Sequence, residues 1–111
     1  MTKALIAGML PLAALLHLTA SHAADEAKGD PKAGHALVYT CGGCHGVPGY
    51  DNAYPHYHVP RIAGQNYDYI VAALTEYKKG ERAHPTMRAQ GESLSEKDIV
   101  DIATYLSSLA K

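Results

Sequence analysis

Residues 41–45 read Cys-Gly-Gly-Cys-His and hold both cysteines of the chain. Two cysteines three positions apart, with histidine immediately after, form the attachment pattern for a c-type haem. The spacing has a mechanical basis: on a helical turn, positions i, i+3 and i+4 share one face. Cys41 and Cys44 can then reach the two vinyl groups of one haem, and the imidazole of His45 can reach its iron. Gly42 and Gly43 are expected to keep side chains out of the porphyrin's way. Three other chemistries use such a cysteine pair: a redox-active dithiol, half of a zinc site and a structural disulfide. A dithiol of the thioredoxin kind wants a strand leading into a helix, and no strand-like run precedes Cys41. Zinc would recruit His56 and His58, whose one-residue gap is shorter than the usual three to five. A disulfide across so short a loop constrains little. One covalent haem c is the reading the motif favours.

The N-terminus reads as an export signal. Lys3 supplies the positive start, and residues 4–16 are apolar apart from Gly8 and Pro11. A membrane span takes about 20 apolar residues, so this run fits the core of a signal peptide and not an anchor. Ser21 and Ala23 are the small residues that precede a cut, and cleavage after Ala23 is expected. That division gives a signal peptide, 1–23, and one exported domain, 24–111, in the periplasm.

The exported part keeps nine basic and eleven acidic residues, a formal charge of −2. A nucleic-acid partner favours a basic surface, so none is expected. The 47% apolar fraction is inflated by the leader, and the chain has neither Phe nor Trp. A domain this short has trouble building a self-sufficient core. A haem would supply the missing apolar area, and thioether bonds to it would keep the two cysteines from pairing in an oxidising compartment.

Asp30 and Pro31 open a helix over about 31–40, with Gly34 inside it. Residues 46–65 look irregular, with prolines at 48, 55 and 60. A loop of this length wants a function, and wrapping a haem edge is one. Ile70, Val71, Leu74 and Tyr77 recur at helical spacing over 67–79; Lys78 and Lys79 suit the negative end and Gly80 the stop. Residues 80–94 read as a second loop, holding His84 and Met87. Ser95 and Asp98 then open a last helix whose apolar face is Ile99, Ile102, Ala103, Leu106 and Leu109.

In this order the chain resembles a class I c-type cytochrome, and in particular one unit of the bacterial type in which two such domains with two haems are often strung together. The resemblance covers residues 29–109 and rests on Gly34, the 41–46 motif, Pro60-Arg61-Ile62-Ala63-Gly64-Gln65, the middle helix, a loop with Met87 and the amphipathic last helix. It implies an all-α cytochrome c fold, three to five short helices around one haem. It also implies that Gly34 lets the first and last helices cross closely, near Tyr105. Pro60 is similar to the proline whose carbonyl holds the proximal imidazole, and Arg61 and Arg82 fall near positions that face the haem propionates. Residues 54–59, with His56 and His58, depart from the commoner pattern.

The sixth iron ligand follows by elimination. Met1 and Met9 belong to the leader, which leaves Met87. A lone methionine in a polar loop, away from any apolar stripe, fits core packing poorly. A thioether suits haem iron, and Met/His ligation raises the reduction potential. His35, His56, His58 and His84 are the rivals, with His84 foremost because it is three residues from Met87. The expected function is electron transfer between a redox protein donor and acceptor in transient encounters, with no stable membrane anchor and no enzymatic step. The alternatives are a haem enzyme with an open sixth position, a haem subunit of a larger oxidoreductase, and a Cys/His zinc module.

Overall fold

The computed structural model describes residues 29–46, 48–53 and 56–110. The expected signal peptide and its cut after Ala23 lie outside them. Helices start where the sequence places a cap. The Asp30 side chain accepts the Lys32 N–H at 2.8 Å, and Pro31 takes the first position of α1, Pro31–Leu37. There its missing N–H would have had no helical partner. A 3₁₀ turn, Val38–Thr40, leads on to the short α2, Gly42–His45. Asn66 caps α3, Tyr67–Lys79, by accepting the Tyr69 N–H at 3.1 Å. Gly80 ends α3 at φ +75°, a left-handed conformation that a side chain would strain. Ser95 and Asp98 form a reciprocal capping box at 3.1 and 2.8 Å and open α5, Glu96–Ser108.

The expected loop 80–94 is instead largely helical. Its helix, α4, spans Pro85–Glu92 behind a histidine cap, His84, with proline in the first turn. Residues 46–65, between α2 and α3, are expected to be irregular, and among the described residues part of the segment makes a small hairpin-like turn. Asn52 N–H donates to Tyr57 at 2.9 Å, Val59 N–H to Tyr50 at 2.8 Å, and Asp51 pairs antiparallel with His58. Residues 60–65 are then pinned to the far end of α5, where the Gly64 N–H donates to the Leu106 carbonyl at 2.8 Å.

Two glycines set the helix packing. A Cβ on Gly34 would lie 2.0 Å from the Asp101 carbonyl oxygen and 2.9 Å from Tyr105 Cβ, so α1 and α5 cross backbone to backbone. Gly91 does the same for α4 against α3, where a Cβ would meet the Lys78 nitrogen at 2.8 Å. Gly34→Ala is expected to force α1 and α5 apart and destabilise the holoprotein by about 3 kcal/mol or more, which a urea melt measures.

Around these crossings the core is small. The buried apolar side chains are Val59, Ile70, Ile99, Ile102, Ala103 and Leu106. Leu37, Ile62, Leu74 and Leu94 pack against Ile70, Ile102, Ala103 and Leu106 while staying partly exposed. Among the described residues, one carboxylate is buried with them. Asp101, 2% exposed, accepts from Lys97 Nζ at 2.5 Å and from the Asp30 N–H at 2.8 Å, which ties the entry of α1 to α5. The Lys97 ammonium foremost, with the Asp30 amide, holds this carboxyl below the usual carboxylate range against the opposing effect of burial. A depressed folded pKa stabilises above the ordinary aspartate value of about 3.9 and is lost as pH falls through the folded value. Asp101→Asn is therefore expected to lower the melting temperature at neutral pH. It should also flatten the decline of that temperature as the pH falls below about 4, read by circular dichroism. Among the described residues, no helix is long and apolar enough to cross a membrane.

Candidate cofactor cleft

Cys41, Cys44 and His45 open onto one cleft of about 560 Å³, within the range of about 300–1,000 Å³ usual for small-molecule and cofactor sites. The helical turn Gly42–His45 puts the three side chains on one face, as the i, i+3, i+4 spacing requires. Gly42 and Gly43 take the opposite face. Both are exposed and neither lines the cleft. A Cβ on either would meet no atom within 4 Å.

The His45 ring is oriented from outside its own helix. Its Nδ1–H donates to the Pro60 carbonyl oxygen at 2.7 Å, which leaves Nε2 with the free lone pair. Both cysteines are free thiols and partly buried. Burial pushes the Cys41 thiol above its ordinary value, opposed by a weaker hydrogen bond from Thr40. The apolar wall comes from the core itself: Leu37, Ile70, Leu74, Leu94, Ile102 and Leu106 face the cleft. Three of these, Ile70, Ile102 and Leu106, are also the centre of the buried cluster. The core is thus open on one side, in the shape that a flat apolar group would complete.

Met87 lines the same cleft, in the first turn of α4. His84, its rival, lines it too, but both of its ring nitrogens are engaged: Nδ1 accepts the Met87 N–H at 3.2 Å, and Nε2 lies 3.2 Å from the Asn52 side-chain amide. His35 is elsewhere, with its ring 4.9 Å from that of Tyr105 at the α1–α5 crossing. His56 and His58 turn back into their own hairpin, His56 Nδ1 to the Asn52 carbonyl and His58 Nδ1 to Asp51 Oδ1, each at 3.1 Å. Among the described residues, no three of His, Cys, Asp and Glu group to hold a metal ion.

Arg61 and Arg82 both reach the cleft. Arg82 is held in place: its guanidinium lies 4.9 Å from the Tyr77 ring centre and 5.9 Å from that of Tyr69, and it donates to the Tyr69 hydroxyl at 3.3 Å. Sequence reasoning missed Asn52, Tyr57, Tyr69 and Tyr77, all of which line the cleft. Tyr77 was legible only as part of the packing stripe of α3, and Asn52 is 32 residues from its partner His84.

The donor set matches a covalent haem: two free thiols, an imidazole with its second nitrogen committed to a carbonyl, a thioether, and an apolar wall. The comparisons agree. The profile of the family described as Cytochrome c matches residues 31–110. Cytochrome c-554(548) of Halomonas halodenitrificans is 41% identical over 85 residues, covering 72% of this chain and 96% of that protein. Cytochrome c4 of Pseudomonas aeruginosa is 37% identical over 83 residues, covering 75% of this chain. The aligned part is only 40% of that cytochrome c4, so the chain spans well under half the length of this relative. The cytochrome subunit of sulfide dehydrogenase from Chlorobaculum tepidum is 32% identical over 78 residues, covering 70% of this chain and 67% of that subunit. A profile match across nearly all of the described fold, with one relative aligned over almost its full length, leaves one assignment for the Cys-x-x-Cys-His cleft: the chain belongs to the cytochrome c family and binds haem c.

Proposed function

We propose that the protein is a periplasmic electron carrier, exported by the leader 1–23, in which His45 and Met87 are the two axial ligands of a single haem c. The supporting observation is that the His45 ring, held by Pro60, and the Met87 side chain line one cleft together with both thiols. When bound, the haem supplies a one-electron ferric–ferrous couple. The chain's own residues do the rest. Cys41 and Cys44 hold the group through thioether bonds, and His45 offers Nε2 while Pro60 fixes its ring. Met87 offers a soft thioether that favours a high potential. Arg61 and Arg82 lie where haem propionates could meet them, and the apolar cleft wall would keep water from the face of the bound group. With His45 and Met87 both held in place by the chain, the bound group would exchange an electron with little rearrangement of these residues. Encounters with redox partners are expected to be small and transient. The formal charge of −2 on residues 24–111 offers little long-range steering.

A haem-stained denaturing gel followed by a visible spectrum tests this reading. Covalent haem, a weak far-red band in the ferric state and slow binding of carbon monoxide by the ferrous protein are expected. Rapid carbon monoxide binding by the wild type would favour a haem enzyme with an open position. A second reading, a haem subunit of a larger oxidoreductase, draws on the relative named as a cytochrome subunit of sulfide dehydrogenase. Co-migration of the haem stain with a larger enzyme on a native gel of the source periplasm would favour it.

A further inference from the structure

We propose that His84 is a positioning residue that locks the Asp51–His58 hairpin to the first turn of α4 and so holds the sixth iron position closed. The proposal rests on Met87 being the iron ligand.

The argument starts from an unusual cap. Helix starts favour Ser, Thr, Asp or Asn, whose short side chains accept one of the unpaired N–H groups of the first turn. In α4 the imidazole of His84 takes that role, accepting the N–H of Met87 itself. A smaller residue would cap as well. What the imidazole adds is a second nitrogen on the other side of a rigid ring, and that nitrogen faces the Asn52 side-chain amide at 3.2 Å.

The proton count fixes the direction of the relay. A neutral imidazole has one acceptor nitrogen and one N–H. Nδ1 accepts from Met87, so Nε2 carries the hydrogen; Asn52 Nδ2 stands opposite it at 3.2 Å, and turning that amide over, an assignment the hydrogen-bond network decides, brings Oδ1 round to accept. Asn52 is itself fixed in the hairpin: its N–H donates to the Tyr57 carbonyl at 2.9 Å, and its own carbonyl accepts from His56. Two aromatic rings hold the imidazole in place. Tyr57 of the hairpin lies 5.5 Å away and Tyr77 of α3 lies 6.2 Å away, edge to face. One ring thus joins the hairpin, α3 and α4 beside the Met87 backbone. For the Met87 side chain to leave the iron by movement of its backbone, the first turn of α4 must open, which breaks the cap and the Asn52 bond together.

The test uses the full holoprotein as wild type, His84→Asn, Asn52→Ala and the double variant. Asparagine at position 84 keeps a good cap but is too short to bridge to Asn52. Cyanide binding to the ferric protein is expected to be about tenfold faster in each single variant, the effect of one lost hydrogen bond. The double variant should be no faster than the faster single one, because both changes cut the same link. The Met87 amide should also exchange with solvent about tenfold faster in Asn52→Ala, read by NMR on the ferrous protein. Wild-type rates in His84→Asn would reduce His84 to a cap and overturn the proposal; so would effects that multiply in the double variant. If His84→Asn does not fold, Asn52→Ala decides: faster binding and amide exchange support the lock, and wild-type rates overturn it. A far-red sulfur band that is present in the wild type and lost in Met87→Ala, beside unchanged rates in the other variants, removes this proposal alone. A far-red band absent from the wild type removes the ligation reading and this proposal with it.

Discussion

Changing both Cys41 and Cys44 to alanine is expected to yield a chain that carries no haem through a denaturing gel and melts without a cooperative transition. The reason is the shape of the core. Six apolar side chains are buried among the described residues, and four of them, Val59, Ile70, Ile102 and Leu106, also form cleft wall. Leu37, Leu74 and Leu94 are only partly covered by protein and face the same cleft. Covering the exposed side of such a residue is worth about 1 kcal/mol, roughly half of full burial. Over Leu37, Leu74 and Leu94 this comes to about 3 kcal/mol, comparable to the roughly 3–5 kcal/mol that a core in so small a domain supplies by itself. Single replacements should leave one thioether and an intermediate stability. The comparison is calorimetric: holoprotein against the exported double variant. An apoprotein that melts as sharply as the holoprotein would show that the helices need no cofactor to complete their core.

The parts of the fold that could be read in the sequence are those whose causes are local. Asp30-Pro31, Gly80 and the Ser95–Asp98 pair act on backbone groups within about one turn of themselves, so the starts of α1 and α5 and the end of α3 were within reach. Helix α4 was not. Its sequence, Pro-Thr-Met-Arg-Ala-Gln-Gly-Glu, has no apolar stripe, its cap is a histidine, and it docks on α3 through Gly91, a contact made by lacking a side chain. Asp101 hid for a related reason. Its partners are Lys97 on the same helix and a backbone amide 71 residues away, so nothing local marks it as buried. The cleft divides along the same line. Cys41, Cys44 and His45 are a local motif, and Met87 followed by elimination. Asn52, Tyr57 and the engagement of both His84 nitrogens depend on a hairpin meeting a helix far along the chain, and spacing carries no trace of that.

Met87→Ala is expected to turn a carrier into a ligand-binding haem protein. Met87 is the only methionine outside the expected leader, and it lies in the first turn of α4 on the wall of the cleft that also holds His45. On the proposed ligation, alanine removes the thioether and would leave the iron one donor short. The ferric protein should lose its weak far-red absorption and bind cyanide quickly, and the ferrous protein should bind carbon monoxide quickly. The reduction potential should fall on the order of 0.1 V, a modest part of the roughly 0.8 V range that axial ligands command. His84 is the residue that can mask this result, since it lines the same cleft three positions away. To become a ligand it would have to give up the Met87 amide or the Asn52 amide, and with Met87 truncated its ring has more room to do so. The double change Met87→Ala with His84→Ala is therefore the cleaner measurement, and it should bind carbon monoxide at least as fast as Met87→Ala alone. The opposite pattern is equally readable. If the wild type has no far-red sulfur band, and His84→Ala alone opens the iron while Met87→Ala does not, then the sixth ligand is His84 and α4 carries Met87 only as part of the cleft wall.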